Sequence, residues 1–310
     1  IGAGPTIIDL ENAIKDTKSV GPLYSDYLNI INKELVKIKP DFSKFAEIDD
    51  AILRQINEGT RITYKFIEAA LLASKNKNID ASKALYDYFG NIFKLCNIPE
   101  GFSGSYYESH FEGYRFLLYE MFVSFIVALI KYDNWEIIGD IILNDIFIEQ
   151  KESKYISYIQ LNTFISSLDV SRNSRLHLER ASVMADLLKE RFTNGDLSQL
   201  ISHNKFLEAD YFLFIRSICG EKKTEDPLLY KPSLWCPRSC IYLKWVPSYV
   251  VKAENKKYLE KLIKAVGLEK NEDFINNFRK NNPIFEKCFR NWIFSHNPLE
   301  DYDFNKIGMR

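Results

Sequence analysis

A chain of 310 residues is long enough to bury a substantial core, and 46% hydrophobic with 27% charged residues excludes a disordered or fibrous polymer. The formal net charge of −1 excludes an overall basic field that would announce a nucleic-acid binder. Five scattered cysteines, an odd number in a chain too large to need staples, point to reduced thiols and a cytoplasmic location. The charge is nonetheless uneven. Residues 231–310 carry 15 Lys+Arg against 9 Asp+Glu (+6), leaving 26 against 33 (−7) for the preceding 230.

In chain order, "TIIDLENAIKDTKS" and "LYSDYLNIINKELVKI" space apolar residues by three and four, and Pro40 ends the second helix. Residues 47–74 read as one long helix despite Gly59, and Asp80 is the expected N-cap of the helix that stops before Pro99. "PEGFSGS" (99–105) is a loop. The segment that follows is apolar almost all round, as a central helix should be. Its apolar run Phe116–Ile130 carries Glu120 and falls short of the roughly 20 residues a bilayer needs, so a buried core helix and no membrane contact are expected.

"NWEIIGDIILNDIFIEQ" and "YISYIQLNTFISSL" read as shorter helices, with enough β-branched residues to leave strand open. Residues 173–192 and "NKFLEADYFLFIRSIC" complete the stack, and no proline interrupts 100–226. Six of the ten prolines lie between Pro227 and Pro298, where an irregular stretch precedes two more helices. The expected fold is therefore mainly all-α: a multi-helix bundle or irregular stack (1–225) with a small Pro- and aromatic-rich, mildly basic helical subdomain (226–310).

Arg172-Asn173-x3-His177 pairs a cation suited to phosphorane charge with an imidazole suited to proton transfer. It resembles the motif of HEPN ribonucleases, and Arg290-Asn291-x4-His296 is a second copy of the same pattern. The resemblance implies an all-helical protein, a homodimer joining two motifs, and RNA cleavage without metal by Arg172, Asn173 and His177, or by Arg290 and His296. Residues five apart on a helix diverge by about 140°. Arg172 is therefore expected before the helix proper, with Ser171 or Asn173 as N-cap. His177, Ala181, Met184 and Leu188 would then share one stripe.

Other constellations read as more ordinary. Glu112 and Arg115, with Glu108 and His110 beside them, suit a surface pair, and Glu120 among apolar neighbours suits a structural ion pair. Asp210 with Glu221-Lys222-Lys223 has the order of a metal nuclease but falls on a helix, and Cys236-x3-Cys240 lacks a second ligand pair. No phosphate loop, dinucleotide fingerprint, nucleophile elbow or zincin motif occurs, so neither a metal nor a cofactor is expected. Trp235, Arg238, Lys244, Trp245, Lys256 and Lys257 interleave rings and cations, a pattern that can stack bases and track phosphates. The alternative is aromatics anchored in the core with lysines facing water.

The first-ranked expectation is a helical binding or regulatory module, of the kind found in bacterial multidomain defence proteins. It would bind a protein partner or fused effector domain, a small nucleotide-like ligand, or nucleic acid. A HEPN-like ribonuclease is the alternative.

Overall fold

The computed structural model describes residues 4–16, 20–43, 46–150, 153–163, 165–219, 234–281, 285, 298–299 and 302–310. Its organising element is the sixth helix in chain order, Glu112–Lys131, in which every side chain from Glu112 to Leu129 is buried. Apolar residues on all faces suit such a helix to the middle of the protein, where neighbouring elements cover every side. The preceding helices are α1 (Ile7–Lys15), α2 (Gly21–Leu35), α3 (Ile48–Glu58), α4 (Thr60–Lys75) and α5 (Ile79–Leu95), and the central helix is α6. Helices α3, α4 and α5 pack directly on α6, and α2 packs on α4 and α5.

After α6 come α7 (Trp135–Ile142) and a two-stranded antiparallel hairpin, β1 (Ile146–Ile148) with β2 (Lys154–Ile156), which pairs Phe147 with Tyr155. A wide π-type turn at Leu168–Arg172 runs into the short α8 (Asn173–Arg175). Helices α9 (Val183–Thr193) and α10 (His203–Cys219) follow, and α10 lies against α6. Then come α11 (Ser248–Lys252), α12 (Lys256–Ala265), on α7, and α13 (Asn271–Asn281), on α10. The described residues are thus mainly helical, as the sequence pattern predicts, with one small hairpin in addition.

Several local expectations are corrected. The helix over 47–74 is divided at Gly59, whose absent Cβ would lie 2.6 Å from a Leu117 methyl. Glycine here lets the α3–α4 junction close on α6. The N-cap of α5 is Asn78, whose side chain accepts from the Ala81 N–H at 2.9 Å, and Asp80 lies inside the first turn. The β-branched run Ile146–Ile148 is a strand, because β1 lies on α5 and pairs with β2. Residues 173–192 do not form one helix: α8 ends at Arg175, and α9 restarts at Val183 with Ser182 as N-cap. Asp169 reinforces that cap, accepting from Ser182 Oγ and from the Met184 N–H.

Two buried polar knots tie distant segments together. Glu120 of α6 meets Arg191 of α9 through a two-pronged ion pair at 2.6 and 2.8 Å, and Arg191 also donates to Thr60 Oγ1 at 2.8 Å. Asp210 of α10 accepts from Tyr119 Oη, from Trp235 Nε1 at 2.8 Å, and from the Ser239 N–H and Oγ at 3.0 and 2.6 Å. Burial pushes the Asp210 carboxyl up, and these donors oppose that rise. Trp235 stacks on Tyr119 at 5.7 Å, so the segment beginning at 234 joins the core built by α6 and α10.

By length and composition, Glu108–Lys131 is apolar enough to cross a membrane, a longer span than the sequence run suggests, and 94% of its apolar window is buried inside the protein.

Candidate functional site

The Arg172 motif is split by the end of α8. Arg172 donates to Asp49 at 3.3 Å and to Asp50, while Arg175 donates to the same two carboxylates at 2.6 and 2.7 Å. Both aspartates sit in the first turn of α3, where the helix dipole favours negative charge. The hydrogen bond from Arg172, above all, holds the Asp50 carboxyl below its ordinary range.

Asn173 closes the following loop, donating to the Arg180 carbonyl at 2.8 Å and accepting from the Arg180 N–H at 3.1 Å. Within that loop His177 and Glu179 adopt left-handed backbone angles, φ +49° and +50°, uncommon for residues with a Cβ. His177 is exposed, not part of a stripe with Met184 and Leu188, which are buried on α9. Arg290 and His296 lie outside the described residues.

The basic and aromatic set divides between core and surface. Trp235 is fully buried, so its ring is spent on Tyr119 and Tyr158 and has no face for a base. Arg238 is held by Asn162 Oδ1 and the Thr163 carbonyl, both at 3.0 Å. Trp245 is half-buried against the core, whereas Lys244, Lys256 and Lys257 face water. Anchored rings with solvated lysines were the alternative arrangement of this segment.

Arg115 pairs with Glu108 at 2.6 Å and not with Glu112, and also donates to the Cys96 carbonyl. Glu112 is freed to accept the Ser167 N–H at 2.8 Å. Asp210 is enclosed, and Glu221, Lys222 and Lys223 lie outside the described residues. Among the described residues no group of three His, Cys, Asp or Glu side chains is placed to hold a metal.

Among the described residues, a cleft of about 630 Å³ that the sequence motifs do not mark is shaped to receive a ligand. One wall is the segment after α2, with Val36, Lys39, Pro40 and Phe42. A second is the end of α5 and its exit, with Lys94, Leu95, Asn97 and Ile98. Phe111 and Tyr114 at the start of α6 line it too, and Glu149 and Gln150 join from the hairpin. Its volume lies within the range of small-molecule sites.

Rings continue beyond the cleft. Phe42 lies 5.8 Å from Phe111 and 4.8 Å from Phe102, and Tyr106 lies 6.1 Å from Phe111. Phe102 and Tyr106 belong to the loop after Pro99, where Gly101 at φ +75° makes a turn that other residues rarely adopt. The sequence gives one signal for this place, the Pro/Gly/Ser loop at 99–105. Its convergence with residues 36–42 and 149–150 is a property of the fold.

The chain matches no family model, no curated protein and no solved structure.

Proposed function

We propose that the protein is a helical binding module whose ligand occupies the cleft between residues 36–42, the end of α5 and the start of α6. The observation that carries this reading is the cleft itself: about 630 Å³, lined by eight aliphatic or aromatic residues and six polar ones, four of them charged. Apolar concavities with sparse polar groups are the usual form of a small-molecule site, because burial supplies affinity and the polar groups fix orientation. In a larger protein, a ligand held at the junction of α2, α5, α6 and the hairpin would change how those elements present themselves to a protein partner or fused effector domain.

The test is methyl-resolved NMR with a panel of small aromatic fragments. Shifts concentrated on Val36, Leu95 and Ile98 are expected, and their loss in Val36→Trp, an exposed cleft residue. Shifts scattered over the surface, or unaltered by Val36→Trp, would reject the cleft as the site.

A HEPN-like ribonuclease remains the second reading, favoured by one observation: His177 is solvent-exposed on a loop braced by the Asn173 clamp and held in a strained backbone conformation, a feature that collects at functional sites. Against it, Arg172 is engaged by Asp49 and Asp50. Metal-free cleavage of labelled RNA by the wild type, lost in His177→Ala or Arg172→Ala, would establish this activity. Loss in Arg290→Ala alone would move it to the second motif. An intact RNA pool after incubation with folded protein is the result expected of a binding module.

A further inference from the structure

We propose that residues 170–181 form a lid, held shut on the first turn of α3 by an ionic latch. The lid has a closed base. Asp169 accepts from Ser182 Oγ at 3.1 Å and from the Met184 N–H at 2.9 Å, which brings the two ends of the segment together. Just before it, the Ser167 N–H is pinned to Glu112 of α6 at 2.8 Å. Compact loops whose ends meet in this way are frequently functional. The lid is also braced within itself. Asn173 exchanges two hydrogen bonds with the Arg180 backbone, at 2.8 and 3.1 Å, and the Leu178 N–H donates to the Asn173 carbonyl at 3.0 Å. These bonds span the left-handed turns at His177 and Glu179, so residues 173–180 move as one piece.

Its hold on the rest of the protein is of another kind. None of residues 170–181 is buried. Val170, Leu176 and Leu178, the side chains that could have made an apolar seal, are 62%, 40% and 36% exposed. Among the described residues, the side-chain bonds from the lid to other elements all come from arginines. Arg172 and Arg175 grip Asp49 and Asp50, and Arg180 meets Asp186 of α9 at a loose 3.7 Å. An apolar seal would withstand salt, whereas partly exposed ion pairs weaken as salt screens them. The Arg172 and Arg175 side chains are 19% and 33% exposed, so ions reach the latch while it is shut. Shut, the lid commits both guanidinium groups to α3 and leaves the Asp49 side chain 1% exposed. Open, it returns all of them to solvent. A ligand that takes these arginines therefore selects the open form, and the latch opposes it by the cost of opening.

Spin labels report the lid directly, on a Cys236→Ser/Cys288→Ser background. One pair joins Glu179→Cys on the lid to Asn57→Cys on α3, and a control pair joins Asn57→Cys to Thr193→Cys on α9, all at exposed positions. Pulsed electron–electron distances should give one lid separation at low salt and a second, longer one at high salt. The open fraction is expected to rise about threefold to tenfold between roughly 0.05 and 0.5 M NaCl. Asp49→Asn/Asp50→Asn and Arg172→Gln/Arg175→Gln should each show the longer separation already at low salt, with no further response. Breaking the latch from both sides separates its loss from a folding defect in either variant.

A single lid separation at every salt, in wild type and both double variants, would mean that other contacts bolt the lid. A salt response that persists in the double variants would mean that other charges hold it, and a broad wild-type distribution at low salt that nothing does. Opening in one double variant alone, or movement of the control pair in step with the lid, would mean unfolding in place of opening. Each of these results overturns the proposal.

Discussion

Arg191 reaches from α9 to grip both carboxylate oxygens of Glu120, a residue with no exposure at all on the central helix. The guanidinium fork matches the carboxylate geometry, and Thr60 takes a further donor, so the charges leave water with their hydrogen bonds satisfied. Removing one partner strands the other. Arg191→Met is expected to destabilise the fold by about 3–5 kcal/mol, whereas the double variant Glu120→Leu/Arg191→Met recovers much of that loss. Urea unfolding of the two single variants and the double variant measures it; additive losses would contradict a coupled pair.

Gly59→Ala sets two effects against each other. Alanine gains roughly 1 kcal/mol of helix propensity over glycine. Its Cβ, however, would sit 2.6–2.7 Å from both Leu117 methyls, on a fully buried side chain of α6. Overpacking typically costs about 1–3 kcal/mol, so net destabilisation is expected. Leu117→Ala in the Gly59→Ala background should cost less than Leu117→Ala alone. A Gly59→Ala protein that melts higher than wild type would show the junction to be looser than the structure has it.

His203 gives the stability curve an acid limb. Burial, with Lys189 nearby, lowers its pKa from 6.5 to about 4, so the folded state keeps the ring neutral where the unfolded chain protonates it. The folded pKa is depressed, so this contribution is fully present above pH 6.5 and lost as pH falls from 6.5 towards 4. Its size is about 3 kcal/mol. Unfolding free energies measured at intervals from pH 7 to 4 should fall more steeply for wild type than for His203→Gln. Parallel curves would sink the assignment.

The thiols should differ in reactivity. Burial pushes Cys96 and Cys219 up to about 12, and burial together with the neighbouring Asp210 carboxylate raises Cys240. Cys236 is only half-buried. Brief alkylation of native protein at mildly alkaline pH, followed by peptide mapping, should label Cys236 before Cys96, Cys219 or Cys240, because the thiolate is the nucleophile. Early labelling of Cys96 would mean that the end of α5 opens readily.

What the sequence made legible follows from which interactions are local. Helical periodicity and the all-round apolarity of α6 depend on neighbours a turn away, so the helical architecture and the burial of Phe116–Leu129 could be read directly. The need of Glu120 for a cation was also readable, since a carboxylate among apolar side chains requires one, but nothing local names Arg191, 71 residues away. Trp235 shows the limit from the other side. A tryptophan between basic residues looks the same whether its ring meets a base or Tyr119, and only the position of Asp210 decides. Apart from the loop at 99–105, the cleft was illegible for the same reason, being assembled from the segment after α2, the end of α5, the start of α6 and the hairpin, whose residues carry no shared spacing.

The placement of α6 has a consequence for how the chain is made. Part of its cover, α10, lies C-terminal to it, with α7, the hairpin, α8 and α9 still to emerge in between. A nascent chain that has just released α6 from the ribosome therefore holds an apolar rod with α3, α4 and α5 to cover it but without α10, and one long enough by composition to engage a bilayer. During that interval it presents the surface that chaperones and aggregates both recognise. Arrival of α10, and with it the Asp210 partner for Tyr119, completes the shelter, so truncations that end before His203 are expected to be the forms of this protein that the cell finds hardest to keep in solution.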